Sequence, residues 1–251
     1  MRDAPSSWVA AVTFDVCETL LADPWPRAFR DARIGRTHVW LQEHGCHVSR
    51  SAVAAAYAAT KRTYSEHWNA GRIYSTRDAV GDMLGRLDAP EYTHERVALL
   101  VGVFEDPAPE LRMVPVDGAR DVLLALSAAG VKIGVVSDIG YTPGRVIARF
   151  LDAAGLAELC EPEAMLFSDE FGAYKRESAM FRRAVAALGA APANAVHVGD
   201  LKRTDVAGAR AAGLATVRFR GCVDDPSAGP EADHVIGDLR ELPTILGIGT
   251  G

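Results

Sequence analysis

The segment VKIGVVSDIGYTPGRVIARFLDAAG, residues 131–155, decides the fold. Its opening run, VKIGVVSD, is short, apolar and β-branched, which predicts a buried strand that ends on polar Ser137. The run TPGRVIARFLDAAG then predicts a helix with Thr142 as N-cap and Pro143 in its first turn, where a missing N–H does no harm. A strand feeding a helix in this way is half of a parallel βαβ unit.

The same rhythm extends in both directions. Before it, GARDVLLALSAAG (118–130) predicts a helix ending at Gly130. After it, EAMLFSD (163–169) predicts a strand, SAMFRRAVAALG (178–189) a helix, AVHVGD (195–200) a strand, TDVAGARAAG (204–213) a helix and LATVRF (214–219) a strand. DHVIGDLREL (233–242) supplies a last strand and helix, and WVAAVTFD (8–15) a first strand of the same sheet. This alternation predicts an α/β fold: a Rossmann-like three-layer sandwich with a parallel central sheet covered on both faces.

Between the first strand and the rest lies a block with helical periodicity and no strand pattern. One helix is expected from Arg27 until Gly45 stops it. Ser49 caps a second, with Val53, Tyr57, Thr60, Tyr64 and Trp68 on one face; Thr76 precedes Val80, Leu84 and Leu87; Thr93 precedes Val97, Leu100, Val101 and Phe104. The expected organisation is a core domain from residues 1–22 and 112–251, with an inserted α-helical domain at 23–111 joined to it by two chain crossings.

Composition narrows the function classes. The 251-residue chain is 49% hydrophobic and 24% charged, enough for one substantial core plus the insertion. A net charge of -6 with interspersed signs provides no basic stripe, so neither nucleic acid nor an anionic membrane is an expected partner. No apolar run reaches membrane-spanning length and the N-terminus lacks a signal-peptide pattern, which predicts a soluble, cytoplasmic protein; monomer and homodimer both stay open. The four cysteines, Cys17, Cys46, Cys160 and Cys222, are too few and too irregularly spaced for a disulfide scaffold and suit a reducing compartment.

Ligands of open parallel sheets bind beyond the carboxyl ends of the strands. Those ends here carry Asp15, Ser137 and the pair Gly199-Asp200, with Lys175 in the loop after the third strand and Asp205 further on. Three carboxylates converging on one volume need a hard divalent cation to offset their repulsion, and Mg²⁺ fits carboxylate, backbone carbonyl and phosphate oxygens.

In this order the residues resemble the haloacid dehalogenase superfamily, in its phosphatase-like branch. Asp15-Val16-Cys17-Glu18-Thr19 is similar to its first motif, DxDx[T/V]; Ser137 ends a strand as in the second; Lys175 precedes a helix as in the third; GDLKRTD matches the fourth, GDxxxxD. A helical cap of the family's first class sits where the insertion lies. The resemblance implies that Asp15 attacks phosphorus to form an aspartyl-phosphate, that Ser137 and Lys175 hold phosphoryl oxygens, and that Asp200, Asp15 and the backbone carbonyl of Cys17 ligate Mg²⁺, with Asp205 orienting the site either as a further metal ligand or from behind the ligands.

Two positions depart from the pattern. Lys175 is followed by Arg-Glu-Ser rather than proline, and Cys17 stands where family phosphatases carry the aspartate that protonates the leaving group. Cys17 therefore preserves the metal loop but removes the usual proton donor. The leading expectation is a Mg²⁺-dependent phosphohydrolase of a small phosphorylated metabolite. A nearly inactive relative that binds a phosphorylated ligand or partner, and a 2-haloacid dehalogenase-like hydrolase, are the alternatives.

Outside the motifs the expectations are structural. His197, mid-strand, is expected as a packed core histidine, and His38, His44, His47 and His67 lack metal-site spacing. Trp25, Trp40 and Trp68 read as core aromatics, and Arg27, Arg30, Arg33 and Arg36 as a solvated face.

Overall fold

In a computed structural model, described over residues 8–23, 27–106, 108 and 110–248, the chain forms two compact units. One comprises the residues up to Asp23, Met113–Asp138 and everything from Ile147; the other comprises 24–112 together with Ile139–Val146. Trp25 lies outside the described residues.

In chain order, β1 (Ala11–Phe14) leads through a tight loop to β2 (Leu21–Ala22). Four helices follow: α1 (Ala28–Glu43), α2 (Arg50–Asn69), α3 (Thr76–Arg86) and α4 (His94–Glu105). The chain then alternates through β3 (Val114–Pro115), α5 (Ala119–Ala128), β4 (Lys132–Ser137), α6 (Gly144–Ala153), β5 (Met165–Phe167), α7 (Ser168–Phe171), α8 (Ala179–Ala187), β6 (Ala195–Gly199), α9 (Ala207–Ala211), β7 (Ala215–Phe219), β8 (His234–Ile236) and α10 (Leu242–Ile245).

The central sheet has six strands in the order β5-β4-β1-β6-β7-β8, every pair parallel. The α/β reading of the sequence is therefore correct. Strand order reverses beside β1, which is flanked by β4 and β6, and this is the place where an open sheet leaves a crevice at its carboxyl end. β1 and β6 are buried along their whole lengths, which explains their continuous apolar runs. Under one face, Phe181, Val185 and Leu188 pack with the small residues Ala11, Ala184, Ala195 and Ala209.

The sequence did not reveal the two-residue strands β2 and β3, which pair antiparallel, Leu21 with Pro115 and Ala22 with Val114. They are too short to carry a period of two. The turn after β6 also differs from expectation: Lys202–Val206 form a widened π-type turn, and regular helix begins only at Ala207.

The helical unit has its own core, in which Trp40, Leu41, Val53, Tyr57, Met83, Leu100, Phe104 and Tyr141 are buried. Ser49 and Thr93 cap α2 and α4 as expected. At α3 the cap is Ser75, in a reciprocal capping box with Asp78, and Thr76 is the first helical residue. Tyr141 reaches this core because Ile139–Val146 packs with the helices, so chain continuity between the units passes 23/24, 112/113, 138/139 and 146/147 rather than two points. Arg33 departs from the expected solvated face: it is buried, and its Nε donates to the Phe104 carbonyl at 2.8 Å. Its position follows the buried stripe of α1, Phe29, Arg33, Thr37 and Leu41, at four-residue steps. Among the described residues, no helix is long and apolar enough to cross a membrane.

Candidate active site

The site residues come together because the strands that carry them are neighbours. The β1–β6 ladder continues one residue past β1: the Asp15 N–H donates to the Val198 carbonyl at 2.8 Å, which fixes where the carboxylate emerges. β4, on the other side of β1, ends at Ser137, whose hydroxyl donates to Asp15 Oδ1 at 3.0 Å. Past β6, the widened turn brings Asp205 back over the strand end, where its Oδ2 accepts the Leu201 N–H at 2.9 Å.

Lys175 closes the cluster. Its ammonium donates to Asp15 Oδ1 at 2.7 Å and to Asp205 Oδ1 at 2.5 Å. Its own loop is held by a group the sequence analysis did not single out: Asp138 Oδ1 accepts the Lys175 backbone N–H at 2.8 Å. Asp138 follows Ser137 at the end of β4, so its place at the active end of the sheet was a usable signal. The turn of residues 175–177 closes at Ser178, which adopts φ 58°. The Arg-Glu-Ser sequence after Lys175 thus forms a compact turn without proline.

Two glycines make this crowding possible. A side chain at Gly199 would overlap the Asp205 carboxylate, and one at Gly208 in α9 would overlap the Lys175 carbonyl and the Phe181 ring. The glycines let backbone lie where side chains elsewhere would hold it off.

Asp15, Asp200 and Asp205 each offer a carboxylate oxygen, and these oxygens lie within 4.8 Å of one another. All three residues are buried. Burial, reinforced by Asp205, raises the Asp15 pKa to about 6 although Lys175 opposes the rise. Burial and the charges of Asp15 and Asp205 raise Asp200 to about 8. Burial also disfavours charge on Asp205, but Lys175 and His197 outweigh it and hold that carboxyl well below the usual range. Lys175 is held well above its ordinary value, burial being outweighed by Asp15, Asp205 and Asp138. One ammonium among three carboxylates leaves negative charge uncompensated, and the all-oxygen donor set suits a hard divalent cation.

Cys17 lies in the tight loop after Asp15, where the Glu18 N–H donates to Leu21 O at 2.7 Å and Glu18 itself takes φ 58°. Burial first, then the Asp15 carboxylate, push the Cys17 thiol far above its ordinary pKa. A thiol in that state is neither a thiolate ligand nor an effective acid.

His197 is a core histidine, as expected, but it has polar contacts on both nitrogens. Nδ1 lies 3.0 Å from Thr13 Oγ1 and Nε2 lies 3.0 Å from Asp205 Oδ1. Burial lowers its pKa against the opposing pull of Asp205.

Comparisons with known proteins identify the family. The sequence profile described as "Hydrolase: haloacid dehalogenase-like hydrolase" matches residues 9–213. A ribulose-1,5-bisphosphate 5-phosphatase of Halopiger xanaduensis is 32% identical over 145 residues, 55% of this chain and 58% of the relative. A glyceraldehyde 3-phosphate phosphatase of Pyrococcus furiosus is 32% identical over 168 residues, 65% of this chain and 67% of the relative. The match to the first of these therefore spans little more than half of its length. The crystal structure of a 2-haloacid dehalogenase from Pseudomonas syringae superimposes with a TM-score of 0.68 over 95% of this chain and 98% of that one, at 22% identity, a likeness of fold. With a family profile over most of its length, this chain belongs to the haloacid dehalogenase-like hydrolases.

Proposed function

We propose that the protein is a divalent-cation-dependent phosphohydrolase acting on a small phosphorylated metabolite through an aspartyl-phosphate. The observation that carries this reading is the buried cluster in which Lys175 bridges Asp15 and Asp205 while Asp200 completes a triad of carboxylates. The two phosphatase relatives support it.

In this reading Asp15, oriented through Oδ1 by Ser137 and Lys175, attacks phosphorus with its other oxygen. The bond from phosphorus to the leaving oxygen breaks, and that oxygen departs with the electron pair. Water then attacks the phosphoryl group, the Asp15–phosphorus bond breaks, and inorganic phosphate leaves with the carboxylate restored. Ser137 and Lys175 re-partner onto the phosphoryl oxygens, where the ammonium offsets accumulating charge. Mg²⁺ would be held by Asp15, Asp200 and the Cys17 carbonyl, and when bound it would neutralise charge on the phosphoryl oxygens. Asp205 then serves mainly to anchor Lys175.

The helical insert is proposed as the cap that governs access and excludes water, on the ground of its place directly after the first strand. Cys17 shapes the substrate preference: with no carboxylic acid at that position, leaving groups that are stable as unprotonated anions, such as the carboxylate of an acyl phosphate, are favoured over strongly basic alkoxides. The test is mass spectrometry after exposure to acetyl phosphate and Mg²⁺. The expected result is one added phosphoryl group on Asp15, absent in Asp15→Asn. Absence of both adduct and turnover defeats the proposal.

Cys17 also favours a second reading, a weakly active relative that binds a phosphorylated ligand. That reading expects metal and phosphate-analogue binding without turnover. A dehalogenase reading is disfavoured by Asp200 and Asp205 standing together beside Asp15, and halide release insensitive to chelators would restore it.

A further inference from the structure

Thr13 and His197 face each other directly in the register of β1 and β6, in the interior of the sheet unit. From them a continuous line of polar contacts runs to the proposed nucleophile. Thr13 Oγ1 is 3.0 Å from His197 Nδ1, His197 Nε2 is 3.0 Å from Asp205 Oδ1, Lys175 Nζ is 2.5 Å from that same oxygen, and Lys175 Nζ is 2.7 Å from Asp15 Oδ1. Every residue in the line is buried, at most 5% exposed.

The chemistry of these groups fixes the direction of each bond. An ionised carboxylate only accepts, so His197 Nε2 carries the hydrogen donated to Asp205. Lys175 already supplies the cation that Asp205 requires, so the imidazole can be neutral. Nδ1 is then bare and accepts the Thr13 hydroxyl hydrogen; the alternative acceptor for Thr13, the Val196 carbonyl, is farther away at 3.5 Å. The Phe181 ring meets the imidazole edge-on, with centroids 4.7 Å apart and planes at 74°, and restricts its rotation.

A lysine ammonium ends a flexible four-carbon stem and is aimed only by what it touches. Asp205 can aim it only if its own carboxylate is fixed at both oxygens: Oδ2 by the Leu201 N–H and Oδ1 by His197. We infer that His197 is a positioning residue of this site, locked by Thr13, that holds Asp205 and through it directs Lys175 at Asp15. The inference rests on the phosphohydrolase reading and adds to it a residue outside the four family motifs.

Three variants of the full chain test it, His197→Leu, His197→Gln and Thr13→Val, with acetyl phosphate and 4-nitrophenyl phosphate at saturating Mg²⁺. His197→Leu is expected to lower kcat about 10- to 100-fold with KM within about 3-fold, the range for loss of a group supporting a direct site residue. Glutamine can return an N–H to Asp205 and is expected to recover most of kcat. Thr13→Val is expected to lower kcat less, in the same direction. Imidazole ¹⁵N spectra of the parent protein are expected to show His197 protonated on Nε2 and bare on Nδ1, with the Nδ1 resonance shifted in Thr13→Val.

Stability measured alongside separates a packing role, which would track unfolding free energy and leave kcat unchanged. An unaltered kcat in His197→Leu, a glutamine variant as impaired as leucine, or an Nδ1–H tautomer in the parent overturns the inference. Should His197→Leu fail to fold, Thr13→Val decides: an unchanged kcat with an unchanged Nδ1 resonance overturns it. A parent protein without turnover or Asp15 adduct overturns the phosphohydrolase reading and this inference together, whereas a parent that turns over equally well in all variants overturns only the inference.

Discussion

The carboxyl end of the sheet and the interior of the helical unit are both buried, yet they are built on opposite principles. At the sheet end, small residues, Gly199 and Gly208, let charged groups meet at hydrogen-bond distance, and each group has a few directional partners. In the helical unit, large rings do the filling: Phe104 lies 5.7 Å from Tyr57 and 5.1 Å from Tyr141, centroid to centroid. Directional polar contacts fail all at once when a partner is removed, whereas apolar contacts fail in proportion to the atoms removed. Damage to the first region should therefore be steep and chemical, and damage to the second graded and thermodynamic.

The sharpest break in this contrast is Asp15→Asn, expected to remove turnover by ~10⁴-fold or more, read by steady-state kinetics, while the fold survives. Lys175→Met should lower kcat by about 10²- to 10³-fold. It should also destabilise the protein by about 3–5 kcal/mol, because Asp15 and Asp205 are left as buried unpaired charges; denaturant unfolding measures this. Cys17→Asp is expected to speed hydrolysis of alkyl phosphates by about 10²-fold and to change acyl phosphate hydrolysis little. An equal gain on both substrates would remove the missing-acid explanation.

A pH prediction sharpens the contrast further. The folded-state pKa of Asp200, about 8, lies above the ordinary carboxylate value, so the metal-free folded protein binds more protons than the unfolded chain between about pH 4 and 8. Its contribution is fully present below the unfolded pKa and is lost as pH rises through the folded one. The metal-free protein should accordingly lose stability across that window, and Asp200→Asn should flatten the loss. Mg²⁺ affinity should rise over the same range as Asp15 and Asp200 give up their protons, measurable by calorimetry. The smallest effect belongs to the helical unit: Ile34→Val should lower stability by about 1 kcal/mol and leave kcat unchanged.

Most of the sheet was legible because its strands are apolar runs of the right length with polar residues at their ends. Asp15, Ser137 and Asp200 stand out for the same reason, Lys175 and Asp205 through the family motifs they resemble, and the meeting of Asp15, Ser137, Lys175 and Asp205 follows once strands β1, β4 and β6 are neighbours. What escaped the sequence depended on register or on partners distant in the chain. His197 was expected in the core, but only the pairing of β1 with β6 shows Thr13 beside it. Asp138 contacts the Lys175 backbone across 37 positions, which no local pattern encodes. Arg33 is different: its four-residue spacing with Phe29, Thr37 and Leu41 sets it on the buried stripe of α1, while its charge alone points to solvent. Tyr141, between the β4 strand and the α6 helix in sequence, belongs to the aromatic core of the helical unit, a partnership that no local pattern encodes.

The close approach of Gly208 to the Lys175 loop has a consequence for how this enzyme family member can be disarmed. Adding a single methyl group there would wedge α9 away from the lysine's own main chain, leaving all ionisable side chains intact but out of aim. Activity in such a variant would vanish with a full inventory of reactive groups still present, so a count of those groups in a related sequence is an incomplete guide to whether it works.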